Sequence, residues 1–137
     1  MSEQDIELVE SVYGAREGGD GPAALRAFAD DIEWVEAEGM PYGGVYRSPE
    51  AVARNVLGPI NEDVDGLALV REQFIASDGK VAVVIRYTGT GKATGKALDV
   101  PAVHVWEIRD RKLARFQQFI DTVKFAEVVP ADVSVTA

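Results

Sequence analysis

The spacing of apolar positions changes once along this chain, from helical in the first half to strand-like in the second. Ser2 and Asp5 form a capping pair, and Ile6, Val9, Val12 and Tyr13 then recur every three or four residues, which predicts one helix with a single apolar stripe. Gly18 to Pro22 closes it. A shorter helix follows, with Pro22 near its start, Leu25, Phe28 and Ala29 on its inner side and Asp30-Asp31 as its stop. Ile32 to Glu36 alternates as a strand, placing Trp34 and Glu36 on one face and Glu33 and Val35 on the other. A Gly- and Tyr-rich loop spans 37–47. Ser48-Pro49-Glu50 opens a third helix that Gly58-Pro59 should break.

From Leu67 onward the period is two. Strands are expected over 67–76, 81–90, 97–108 and 113–122, joined by turns at 77–80, 89–95 and 109–112. Short turns between consecutive strands make an antiparallel meander. Helices first and strands after predict one α+β domain over 1–137, with terminal segments at 1–5 and 128–137. The last of these reads as a tail, either an added edge strand or a partner contact. The sheet should be curved and antiparallel, with the three helices of the N-terminal half on its concave face. Runs such as Val81-Ala82-Val83-Val84-Ile85 are apolar at odd and even positions alike, so the convex face also needs cover. A second copy of the chain would supply it, making a homodimer; a tightly rolled monomeric sheet is the alternative.

Composition narrows the chemistry. With 47% hydrophobic and 27% charged residues, 137 residues can bury a full core unaided. There is no cysteine and one histidine, His104, which excludes disulfides, zinc–thiolate sites and multi-imidazole centres. A net charge of −9 repels phosphate backbones and anionic membranes, so neither nucleic acid nor membrane is an expected partner. The N-terminus has no basic, then apolar, leader and no run is long enough to span a bilayer, so a cytoplasmic location is expected. The glycines at 89, 91 and 95 match no phosphate-binding pattern, and no cofactor and no metal are expected.

The order of these parts resembles a known family. Helix, helix, Phe28-Ala29-Asp30-Asp31-Ile32-Glu33-Trp34, a Gly-rich loop, a third helix and a meander ending in Phe119-Ile120-Asp121-Thr122 is similar to the SnoaL-like group. That group belongs to the nuclear-transport-factor-2-like superfamily, with the ketosteroid isomerases and limonene epoxide hydrolases. The resemblance runs from about Glu7 to Val123. It implies a cone-shaped pocket and, commonly, dimers, without fixing one reaction.

The resemblance also implies a candidate site. Glu36 falls where the isomerases keep a carboxylate base, which burial can tune toward neutral pH; the competing reading is a solvated Glu at a strand end. His104, within the apolar run Val103-His104-Val105-Trp106, takes the register of an oxyanion-hole acid and would donate to an oxyanion or shuttle a proton; otherwise it is a satisfied core histidine. Asp121 corresponds to a catalytic carboxylate of the hydrolases and polyketide cyclases, against a turn-capping role. Gln117, Phe119 and Asp121 share one face of the last strand, and Phe116, Gln118 and Ile120 the other. Arg86 sits in an apolar strand where its charge needs a partner, Asp121 being one, unless it lies on an outward face. The carboxylate expected two residues on is Thr88, which breaks the epoxide-hydrolase relay. Tyr13 is one position out of step with the isomerase tyrosine. Tyr42 and Tyr46 could supply a hydroxyl instead, or simply hold the loop down.

Trp34, Tyr42, Tyr13, Thr88, Trp106 and Phe119 are the candidate substrate contacts. Together these readings predict a cofactor-free isomerase, cyclase or related lyase or hydrolase acting by acid–base chemistry on a small apolar carbonyl or polyketide-like molecule. The alternative is a non-catalytic binding or dimerisation domain of the same fold. A cavity lined by two or more of Glu36, Arg86, His104 and Asp121 would favour the enzyme. One plugged by Trp34, Trp106 and Phe119 would favour the binder.

Overall fold

The computed structural model describes residues 2–130. In chain order the elements are α1 (Ser2–Glu17), α2 (Gly21–Arg26), β1 (Phe28–Glu36), β2 (Gly44–Tyr46), α3 (Pro49–Val52), a π-helical turn (Ala53–Leu57), α4 (Gly58–Asp63), β3 (Val64–Ser77), β4 (Lys80–Gly91), β5 (Ala97–Arg109), β6 (Lys112–Ile120) and α5 (Thr122–Val128). The architecture is α+β, with one six-stranded sheet in the order β2-β1-β6-β5-β4-β3. The meander from β3 to β6 is antiparallel throughout, as the spacing predicts. One pair departs from the expectation of a wholly antiparallel sheet: β1 runs parallel to β6.

Helix α1 buries Val9, Val12 and Tyr13, the predicted stripe. It is tied to the inner face of β3 by Arg71, whose guanidinium donates to Glu10 (2.7 Å) and Glu17 (2.5 Å) and lies 5.4 Å over the Tyr13 ring. Asp20 caps α2 by accepting from the Ala23 amide.

Four boundaries differ from the sequence expectation. Phe28 and Ala29 belong to β1 rather than α2: Leu113 pairs with Phe28, and a register shift before Glu33 lets Asp30 and Asp31 stay exposed within the strand. Gly58-Pro59 does not end the third helix. Pro59 lacks an N–H and its ring crowds the carbonyl four residues back, and the preceding π-type turn absorbs the misfit so that α4 continues. The loop contains the three-residue edge strand β2, too short to show a period. The last strand stops at Ile120, and α5 fills the stretch between the expected strand end at 122 and the start of the expected tail at 128. The remainder of that predicted tail, 131–137, lies outside the described residues.

The helices and the inner sheet face enclose one core. The inner residues of β4 and β5 are Val81, Val83, Ile85 and Tyr87, and Leu98, Val100, Ala102, His104 and Trp106. Phe125, Val128 and Val129 at the C-terminal end complete the cover. Gly91 permits this docking, because a side chain there would meet the Val128 carbonyl oxygen at 2.5 Å. On the outer face Val70, Ile75 and Phe119 are about half exposed.

Candidate functional site

The alternation along β1 puts Trp34 and Glu36 on one face, as predicted, and that face is turned into the core. Glu36 is only 3% exposed. Its Oε1 accepts from the Trp34 indole N–H (2.8 Å), and its Oε2 accepts from the Gln118 side-chain amide of β6. Burial pushes the carboxyl up to about 7; the N–H groups of Trp34 and Gln118 and the charge of Arg16 oppose that rise. Each carboxylate oxygen keeps a second lone pair, so a proton can be taken without breaking either bond.

Gln118 joins Glu36 to a polar chain across the core. Trp106 Nε1–H donates to Tyr13 Oη (3.1 Å), and Tyr13 Oη lies 2.6 Å from His104 Nδ1. His104 Nε2 is 2.8 Å from Gln118 Oε1, and the Tyr87 hydroxyl donates to the same oxygen at 2.5 Å. Burial depresses His104 to about 3, so its imidazole is neutral at ordinary pH and carries one N–H. Burial pushes the phenols of Tyr13 and Tyr87 up, so both stay protonated.

These donor and acceptor capacities fix a direction. An indole only donates, so Tyr13 receives from Trp106 and passes its own proton to His104 Nδ1. That assigns the imidazole hydrogen to Nε2, facing Gln118 Oε1. The amide must then present its NH2 to Glu36. Every donor in the chain points toward the carboxylate, and among the described residues no buried side-chain polar atom lacks a partner.

Other sequence candidates are placed elsewhere. Asp121 is exposed and caps α5, accepting from the Lys124 amide at 3.0 Å. The strand ends one residue before it, so it takes the capping role. Arg86 points outward and pairs with Asp99 (2.8 Å) and Glu72 (3.8 Å), not with Asp121. Alternation along β4 puts Thr88 on that same outer face. Phe119 is also outward and 53% exposed, because the inner face of β6 is the one carrying Phe116 and Gln118.

Tyr13 is buried and reaches His104 directly. Trp34 and Trp106 pack in an aromatic cluster with Phe28 and Phe116, Trp34 stacking on Phe116 at 3.7 Å. Tyr42 is buried and donates to Asp63 at 2.7 Å, and the Tyr46 hydroxyl donates to the Tyr42 carbonyl at 2.8 Å. Gln118 and Tyr87 were not singled out from sequence. The available signal was a lone polar residue between Phe116 and Ile120, and a tyrosine continuing the Val81-Val83-Ile85 alternation.

A cleft of about 690 Å³ beside α1, lined by Gln4, Glu7, Leu8, Ile108 and Arg111, holds none of the candidate residues. Two others border the polar chain and the C-terminal helix. One, of about 370 Å³, opens where β1 and β6 diverge and is lined by Val35, Glu36, Gln117, Gln118, Phe119 and Thr122. The other, of about 470 Å³, lies between α4 and α5, with Tyr42, Arg54, Asp63, Lys92 and Val128 among its walls. His104 lines neither. Of the four residues weighed for a catalytic cavity, Glu36 alone faces a cleft, while Trp34 and Trp106 fill the interior. Among the described residues, no cluster of His, Asp or Glu is placed to hold a metal ion, and no helix is long and apolar enough to cross a membrane.

Comparison with known structures places this geometry. An NTF2-like protein from Burkholderia thailandensis E264 is similar at 33% identity, over 91% of this chain and 96% of that one, with a TM-score of 0.86. TerC, co-crystallised with polyporic acid, is similar at 27% identity, over 92% and 98%, with a TM-score of 0.84. A Catenulispora acidiphila DSM 44928 protein with a ketosteroid isomerase-like fold, in complex with trimethylamine, shares the fold at 17% identity, over 92% and 95%, with a TM-score of 0.79. No curated protein matches the chain. The family model for the SnoaL-like domain matches residues 9–116. With that match over most of its length and this fold, the chain belongs to the SnoaL-like family.

Proposed function

We propose that the protein is a cofactor-free enzyme in which Glu36 removes a proton next to a carbonyl in a small, mostly apolar molecule. The observation that carries this is a buried carboxylate with a pKa near 7, bordering a cleft. The C–H bond breaks, its proton goes to a Glu36 oxygen, and the electron pair moves to the carbonyl oxygen as an enolate. Returning the proton elsewhere gives isomerisation; attack of the enolate on a second carbonyl gives ring closure. Tyr87, held protonated by its burial, donates to Gln118 and lines none of these clefts, so it fixes the Glu36–Gln118 pair rather than meeting the substrate. His104 serves as a neutral link in the chain rather than as a proton shuttle. The likeness to TerC, which was crystallised with polyporic acid, supports a small organic ligand.

The filled interior around Trp34 and Trp106 favours a second reading, a non-catalytic binding domain. Deuterium wash-in from D2O into a panel of small ketones and 1,3-dicarbonyls, followed by NMR, separates the two. Glu36→Gln should slow enzyme-dependent exchange by about 10²–10⁴-fold, the usual contribution of a positioned base. Absence of catalysed exchange across the panel would leave the binding reading.

The outer sheet face, with Val70, Ile75 and Phe119 exposed beside half-buried Val84, Val103 and Val105, supports a homodimer through that face. Sedimentation should give a dimer that Val103→Lys dissociates. A monomeric wild type at tens of micromolar would remove this assignment.

A further inference from the structure

We propose that Gln118 is a positioning residue: its amide, locked in one orientation by Tyr87 and His104, aims its N–H at Glu36 and keeps that carboxylate ionised and oriented as a base. The catalytic consequence rests on the reading of Glu36 given above; the orientation itself rests on geometry alone. Gln118 is 3% exposed and sits between two groups with opposite demands. On its carbonyl side stand two donors, the Tyr87 hydroxyl at 2.5 Å and His104 Nε2 at 2.8 Å. On its amino side stands an acceptor, Glu36 Oε2.

Rotating the amide by half a turn would set NH2 against the Tyr87 hydroxyl and the imidazole N–H. The imidazole would then have to move its hydrogen to Nδ1, facing Tyr13. Tyr13 already receives the Trp106 N–H at 3.1 Å, so its own hydroxyl proton would lose His104 as acceptor. Tyr87 would still have an acceptor, the freed His104 Nε2 at 2.9 Å, so the loss falls on Tyr13. A buried donor left unpaired costs about 1–3 kcal/mol, and that loss disfavours the reversed chain. The donor-only indole of Trp106 therefore sets, four links away, which end of Gln118 meets the base.

The other groups facing Glu36 are Trp34 from its own strand, Arg16 from α1, Tyr42 and Tyr46 from the segment after β1, and Tyr87 from β4. Arg16 is the charged one among them, and it also favours the ionised carboxyl. The contribution of Gln118 must accordingly be read as a difference between proteins that both retain Arg16.

The chain holds one histidine and two tryptophans, so ring and indole NMR signals of the labelled full-length protein are few. In the wild type, His104 should show the Nε2–H tautomer, and its ring N–H should shift with the same midpoint as the Glu36 carboxyl carbon. In Gln118→Met, which keeps the shape and removes both polar ends, the Glu36 midpoint should rise by about one pH unit. The His104 signal should then no longer follow it. Gln118→Glu keeps the acceptor for Tyr87 and His104 but sets a second carboxyl against the first, and should raise the midpoint further. A role in packing alone would lower stability without moving that midpoint or uncoupling His104.

An Nδ1–H tautomer in the wild type overturns the proposal, and that measurement needs no variant to fold. An unchanged Glu36 midpoint in folded Gln118→Met overturns it as well. If no ketone exchanges deuterium and yet the midpoint moves in Gln118→Met, the catalytic reading falls and the positioning role stands.

Discussion

Stability of the wild-type protein is expected to be greatest between about pH 4.5 and 6.5 and to fall on both sides, with His104 responsible for the acid limb and Glu36 for the neutral one. His104 titrates near 6.5 in the unfolded chain and near 3 in the native core, because burial disfavours the imidazolium. Over that interval the unfolded state binds a proton that the native state does not. Stability is therefore lost as pH falls from 6.5 toward 3, by about 5 kcal/mol at 1.36 kcal/mol per pH unit. Glu36 works in the opposite direction. Burial raises it from 4.5 to about 7, so the native state holds a proton that the unfolded chain has released. Stability is lost as pH rises through that interval, by about 3 kcal/mol on the same conversion. Between the limbs the two slopes offset each other.

Urea unfolding at a series of pH values should show this when each variant is subtracted from the wild type. The wild type minus His104→Gln difference isolates the acid limb, and the wild type minus Glu36→Gln difference isolates the neutral one. Curves for wild type and His104→Gln that run parallel below pH 6 would mean that the imidazole titrates as it does in water, and the buried chain would be misassigned.

Phe125→Ala should cost about 3–5 kcal/mol, the usual loss on truncating a fully buried phenylalanine. Phe125 is 0% exposed, with its ring edge-on to Tyr42 at 6.2 Å and to Tyr87 at 6.5 Å. It is the main anchor of α5, a seven-residue helix too short to persist on its own. The ring also stands between the cleft beside Tyr42 and the Tyr87–His104 end of the polar chain. Its removal should let a small apolar probe such as xenon reach the Tyr87 signal in NMR. Val123→Ala on the exposed side of the same helix should stay within about 0.5 kcal/mol of wild type. A loss below 1 kcal/mol for Phe125→Ala would mean that α5 does not dock on the core.

The helical stripe of α1, the four-strand meander and the shared face of Trp34 and Glu36 follow from periodicity alone. Period fixes which residues share a face, and burying one face is what forms the element. The chain order was enough to suggest the family, the apolar run around His104 marked it as buried, and Glu36 was left open between a pocket base and a solvated strand end.

Parity, in contrast, does not say which face of β6 turns inward. Gln117-Phe119-Asp121 and Phe116-Gln118-Ile120 alternate equally well, and the wrong choice moved attention from Gln118 to Asp121. The inner face is set by the parallel partner β1, where Trp34 pairs with Phe116 and Val35 with Gln117. Arg86 and Thr88 went to the outer face for the same reason, since Val83, Ile85 and Tyr87 claim the inside of β4. The π-type turn before Pro59, the helix begun by Asp121 and the reach of Tyr13 to His104 likewise depend on contacts between residues far apart in sequence.

Sequence by itself determined the class of fold, the shared face of Trp34 and Glu36 and the absence of thiols. Tertiary structure alone decided that Glu36 ends a chain of donors running from Trp106 through Tyr13, His104 and Gln118. A hydrogen bond needs two partners at a set distance and angle, and only the folded chain brings those five side chains within that distance.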